Sequence, residues 1–254
     1  MKKFNLWGII LVYVMSSTFM ACGGDDGNDS LIVNPGNISM YFEGTRQLSA
    51  EGATSWFSED EFVATVNNAG LVKGGHVGTT NVFARNGSAM GKCIVTIIPK
   101  YNLYDNPILE WGASMNTIKS KETHEYLSSS STNSLGYDYS KNGHTALLLY
   151  NFNNNQLESV GVIMKLSEYG NAGDHLLERY QPVAAEKTNY SILFIDAMTL
   201  DKAKNVIGLQ TATISNSTVT MIMYMQNNSD SRVSMSAINN NISIPEEMLS
   251  IFKK

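Results

Sequence analysis

Gly44-Thr45-Arg46-Gln47-Leu48, Trp56-Phe57-Ser58, Val63-Ala64-Thr65-Val66, Gly70-Leu71-Val72 and Gly78-Thr79-Thr80-Asn81-Val82 follow one another between residues 44 and 82. Each is a short run of β-branched or aromatic residues, and Gly, Asn or Ser stands between one run and the next. Such spacing suits a small antiparallel sandwich rather than helices. Working outward, Ile38–Phe42 and Arg46–Ala50 read as strands joined by a Glu43-Gly44-Thr45 turn. Thr54–Ser58 brings a large aromatic plug to a core otherwise made of small aliphatics. Val63–Val66 and Gly70–Val72 bracket an Asn67-Asn68 turn. Gly78–Ala84 and Cys93–Ile98 complete about seven strands, and Pro99 ends the last of them because proline offers no donor to a ladder.

Those five ordered landmarks resemble the bacterial Ig-like group 2 (BIG2) domain. The resemblance covers residues 31–99 and implies a sandwich of the kind found in adhesins and in the spacers of cell-surface proteins. It carries over no catalytic residues, and one copy near the start of the chain is expected to serve as a stalk.

Residues 101–254 have a different texture. Trp111, Met115 and Ile118 recur at i, i+4 and i+7, with Lys119 and Lys121 off that face, which predicts a helix that stops before Ser128–Ser131. Strands are expected at Leu135–Tyr139, Thr145–Phe152 and Leu157–Leu166, the last with Val160, Val162, Met164 and Leu166 on one apolar face. Asn171 is a candidate cap for a second helix, which Pro182 would stop. Strands then resume at Tyr190–Ala197, Val206–Thr213 and Thr218–Gln226. Ser243-Ile244-Pro245-Glu246 predicts a short C-terminal helix over 246–252 with Lys253 and Lys254 at its end.

The fold class expected is therefore two domains: an all-β Ig-like sandwich, then an α+β domain of two helix-plus-antiparallel-sheet repeats, each with three strands. That second part resembles the tandem αβββ arrangement of beta-lactamase-inhibitor-like and SmpA/OmlA-like folds. The elements carry this likeness, together with the Tyr150–Leu157 stretch of aromatic strand and Asn turn.

The N-terminus reads as an address. Lys2 and Lys3 precede an apolar Leu6–Met15 run too short to span a bilayer comfortably, and Ala21 comes directly before Cys22. Residues 1–21 thus resemble a lipoprotein signal peptide with Cys22 as the lipidated residue, although Phe19 stands where the family usually has Leu. The Gly-rich, acidic residues 22–30 read as a flexible tether, and they resemble the surface-export signal of Bacteroidetes-type lipoproteins. Together these imply lipid anchoring in the outer membrane on the cell surface, with the periplasmic face as the alternative. With Cys22 acylated, Cys93 has no partner for a disulfide and is expected as a buried strand residue.

Composition narrows the function. Charged residues are 16% and hydrophobic residues 43% of the 254, so the chain can build packed cores. Removing 1–21, which holds Lys2 and Lys3 and no acid, takes the formal charge from −5 to −7, and no Lys/Arg run occurs. Nucleic acid is not an expected partner.

Catalytic motifs are scarce. Gly87-Ser88-Ala89-Met90-Gly91 misplaces its serine for a nucleophile elbow, and Asp25–Asp29 has the wrong spacing for a calcium loop. His76, His124, His144 and His175 show no paired zinc spacing. His175 with Glu178, and His124 with Glu122 and Glu125, read as solvated helix surface. No cofactor, no metal and no enzymatic activity are expected.

Two features suggest binding. Tyr137, Tyr139, Tyr150 and Phe152 alternate in adjacent strands and could stack on sugar rings or anchor a protein, or fill the helix-facing core. Met221, Met223 and Met225 share a face with Val219, where core packing is the preferred reading. The function expected is a lipid-anchored surface protein that binds a glycan or a protein through its C-terminal domain. The alternatives are a periplasm-facing envelope assembly partner and, behind it, a polysaccharide hydrolase.

Overall fold

A computed structural model describes residues 30–128, 133–187, 190–214, 216–228 and 252. The signal peptide, Cys22, the tether and the C-terminal helix up to Ile251 lie outside the described residues.

Between Val33 and Ile97 seven strands form two facing sheets. They are β1 Asn37–Met40, β2 Thr45–Gln47, β3 Ser55–Ser58, β4 Ala64–Val66, β5 Leu71–Gly74, β6 Gly78–Asn86 and β7 Ala89–Ile97. One sheet runs β1-β7-β6-β3 and the other β2-β5-β4; β1 lies parallel to β7 while the other pairs are antiparallel. The strict alternation of β7 explains its place. Cys93, Val95 and Ile97 point into a core with Val72, Val82 and Ala84, leaving Lys92 and Ile94 outside. Cys93 is fully buried, and that burial pushes its thiol pKa up, as a structural thiol requires.

The Asn67–Leu71 corner shows why the landmarks recur. Asn67 accepts from the Ala69 and Leu71 N–H groups, and Gly70 takes φ +77. A Cβ there would sit 2.8 Å from the Leu48 carbonyl and 3.0 Å from the Trp56 ring, so glycine lets both close in.

The second part holds α1 Met115–Lys121, β8 Tyr126–Ser128, β9 Ser134–Asp138, β10 Ala146–Asn153 and β11 Gln156–Lys165, then α2 Tyr169–Leu177, β12 Gln181–Glu186, β13 Ser191–Ile195, β14 Asn205–Ile214 and β15 Ser217–Gln226. Its strands make one antiparallel sheet in the order β12-β13-β14-β15-β11-β10-β9-β8. Each helix is followed by four strands, not three, and the two meanders meet through their last strands, β11 and β15. The additional strands are the two edges. β8 is three residues long, and β12 carries Pro182 on a largely exposed edge where a missing N–H costs no ladder bond.

Three local expectations are corrected. Trp111 stands before α1, whose cap is Ser114 accepting from Thr117 N–H at 3.2 Å; the indole instead donates to Asn205 Oδ1 at 2.7 Å. Asn171 lies inside α2, because a 3-10 turn over Leu166–Glu168 starts the helix early. Leu177, and not Pro182, ends α2.

The sheet is buried on both sides. Tyr137, Leu148, Tyr150, Val162, Ile222 and Tyr224 face the helices, with Ile118, Ala172 and Leu176 packed on them. Leu147, Leu149, Ile163, Met221, Met223 and Val219 form a second cluster on the opposite face, against which Phe252 packs. The methionine stripe is thus core.

Candidate recognition surfaces

Tyr137, Tyr139, Tyr150 and Phe152 sit on or beside β9 and β10, and the structure gathers them in the helix-side core at 2, 1, 0 and 4% exposure. The register decides this. Tyr137 pairs Leu148 and Tyr150 pairs Leu135, so all four side chains in those rows share the face the helices cover. Tyr137 meets Tyr150 edge-on at 5.9 Å. A ligand cannot stack on rings so enclosed, and the expectation of an aromatic binding face at these residues is corrected to core packing.

The hydroxyls of Tyr139 and Tyr150 instead run into a polar cluster that ties the 101–109 connector to the sheet. Tyr150 donates to Glu122 Oε2 at 2.6 Å and accepts from the Ile108 N–H. Tyr139 donates to the Asp105 carbonyl at 2.7 Å. His124 lies between two carboxylates, its Nδ1 2.6 Å from Glu122 Oε1 and its Nε2 3.4 Å from Asp105 Oδ2. Lys141 pairs with the other Asp105 oxygen. Burial pushes the Glu122 carboxyl up, but hydrogen bonds from Tyr150, His124 and two backbone N–H groups outweigh it and the net shift is downward. Asp105 is held low chiefly by the Lys141 hydrogen bond. The cluster spends each ring nitrogen and each carboxylate on a neighbour, which makes it a clamp. Glu122 and His124 are therefore not solvated helix surface: they follow α1, and the Glu122 side chain is only 5% exposed.

A second buried group joins the two halves of the molecule. Glu178, just past α2, is 3% exposed. Its Oε2 accepts from Lys100 N–H at 2.9 Å and its Oε1 from Tyr101 N–H at 3.0 Å, while its own carbonyl accepts from Val77 N–H at 2.7 Å. Arg179 closes the ring, donating to Glu178 Oε1 at 2.5 Å and to the carbonyls of Tyr101 and His175 at 2.9 Å each. Beside it His76 is buried against Phe42 and Phe62, and burial lowers its pKa. His175 has no exposed surface; its ring lies 4.2 Å from that of Tyr104. His175 and Glu178, expected on solvated helix surface, are thus both interior. Nothing local in the sequence marks Glu178 as buried, since the two backbone N–H groups it accepts from are 77 and 78 residues away. Among the described residues no group of three His, Cys, Asp or Glu is arranged to hold a metal.

The sandwich, with its Gly70 corner and its β1–β7 parallel pair, can now be set beside known proteins. Residues 29–97 match the family model of the bacterial Ig-like domain (group 2). An 80-residue stretch is 35% identical to Ice-binding protein 1 of Shewanella frigidimarina, taking in 27% of this chain and 9% of that protein. The chain thus spans about a tenth of the length of that relative. Among solved structures, the surface layer protein SbsC is similar at 14% identity in two of its pieces. Domains 4–9 give a TM-score of 0.25, covering 80% of this chain and 27% of that one. Domains 5–6 give 0.24, covering 80% and 86%. At these scores the fold of residues 101–228 rests on its own geometry. Within the described residues no helix is long and apolar enough to cross a membrane.

Proposed function

We propose that the chain is a lipid-anchored surface protein with a binding or adhesion role, held through Cys22 and carried clear of the membrane by residues 22–30. The sequence supports the anchor, and the Ig-like module supports a surface or adhesion-type role. The observation that carries the reading is the Glu178 joint. A tethered pair of domains meant to reach a partner gains affinity when its parts do not have to be ordered on binding, and three backbone or guanidinium contacts on the buried Glu178 carboxylate, with a fourth from Val77 N–H on its backbone carbonyl, order them in advance. Binding, and not catalysis, is the role assigned, because the His124 cluster engages its polar groups with one another.

Protease shaving of intact cells, with antibody detection of residues 101–254, tests the display. Loss of that domain from intact cells is the expected result. Its survival until the envelope is broken would overturn surface display and favour the periplasm-facing alternative.

A further inference from the structure

The outward face of the β1-β7-β6-β3 sheet brings cationic, hydroxyl and aromatic side chains together. At one corner a cleft of about 460 Å³ is lined by Asn37, Ser39, Arg46, Ile94 and Thr96, a volume in the range of small-molecule sites. Two rows along β7, Lys92 stands exposed opposite Phe83. Beyond it, at the far corner, Arg85 lies 5.4 Å over the Phe57 ring, which stacks on Phe83 at 5.0 Å. Arg46, which reaches the cleft from β2 of the facing sheet, Lys92 on β7 and Arg85 on β6 therefore bring three cations to this side of the sandwich.

None of the three forms an ion pair with a described residue. The nearby Glu59 carboxylate accepts from the Asn81 amide at 2.7 Å and keeps its negative charge, which the three cations outnumber. A net charge of −5 on the whole chain makes this local excess of positive charge a recognition feature for an anion and not a general property of the surface. The remaining groups narrow the anion. Hydroxyl and amide side chains at Asn37, Ser39 and Thr96 match sugar hydroxyls, and Phe57, Phe83 and Ile94 offer an apolar ledge to the C–H faces of sugar rings.

We propose that this face binds an acidic polysaccharide, with Arg46 in the cleft and Arg85 at the opposite corner taking its anionic groups and Lys92 between them. The module expected to act only as a stalk thereby carries a site of its own. The proposal deepens the binding role above and rests on it for its setting at the cell surface, but its chemistry is independent of display.

The test is retention of the detergent-solubilised full-length protein on agarose coupled to polygalacturonate, dextran sulfate or neutral dextran. The expected result is retention on one or both charged polymers, weakening with salt, and none on dextran. Retention on polygalacturonate alone identifies a carboxylate ligand, and retention on dextran sulfate alone identifies a sulfate ester; both support the site. Arg46→Ala and Arg85→Ala should each weaken apparent affinity about tenfold, the scale of one charge-assisted contact, with unchanged circular dichroism. Lys119→Ala, on α1, should bind as the parent does. Equal retention on dextran, no retention at all, or arginine variants that bind like the parent would overturn the proposal. So would a dimer in light scattering that Phe57→Asp dissociates, since a second copy would then occupy the face. Should shaving find the domain inside the cell while retention holds, the display reading falls and this one stands.

Discussion

The imidazole of His175 lies between Tyr104 and the Tyr101–Leu103 connector, and burial, aided by the nearby Arg179 charge, drops its pKa to about 3. The unfolded imidazole takes up a proton below about 6.5 and the folded one only near 3, so the unfolded state holds more protons between those values. Stability contributed by this residue is complete above 6.5 and is lost as pH falls through that window. Urea midpoints measured from pH 7 to pH 4 should therefore fall less steeply in His175→Gln, which cannot take the charge. The difference has an upper limit of about 1.4 kcal/mol per pH unit. Parallel curves in the two proteins would contradict a neutral buried imidazole. Residues of this kind were the least legible in the sequence. A histidine three positions before a glutamate looks solvated until the connector that enters the domain is laid across it.

At the scale of elements, the sandwich was legible because its longer strands alternate and most of its turns carry a Gly or Asn. Gly70 illustrates the physical content of that pattern. Replacing it with Ala imposes both a left-handed backbone on a Cβ and contacts of 2.8 and 3.0 Å with Leu48 and Trp56, whereas Gly87, at φ +58, has open space around it. Calorimetry should show Gly70→Ala losing about 1–3 kcal/mol, clearly more than Gly87→Ala. Equal losses would remove the packing half of the explanation. The central strands of the second domain were legible as near-continuous apolar runs, as burial on both faces requires. Its edges were not, because β8 is only three residues long and the Gln181–Glu186 strand has neither alternation nor bulk. The candidate site fared worse. Aromatic alternation at Tyr137 and Tyr150 fixes that they share a face, but not which face the helices cover. The cations at Arg46, Lys92 and Arg85 are scattered along the sequence and come to one side only through the β6–β7 register and the approach of β2 to the cleft.

For the molecule as a whole, the decisive feature is that the Ig-like module and the eight-stranded domain are fastened around Glu178, whose carboxylate holds the Lys100–Tyr101 connector and whose carbonyl accepts from Val77 N–H in the module. Removing the carboxylate leaves the part-buried Lys100 and Tyr101 N–H groups without their acceptor and Arg179 with only its two carbonyl contacts, a loss of about 3 kcal/mol from that joint. Such a loss loosens the two domains before it unfolds either, because each keeps its own core. The joint also sets how the Arg46–Arg85 face is presented relative to the rest of the chain. The most direct measurement is the distance distribution between spin labels at Ser88→Cys, in the β6–β7 turn, and Gln156→Cys, at the start of β11. A rigid joint predicts one narrow peak that broadens in Glu178→Ala, whereas a broad distribution already present with Glu178 intact would contradict it.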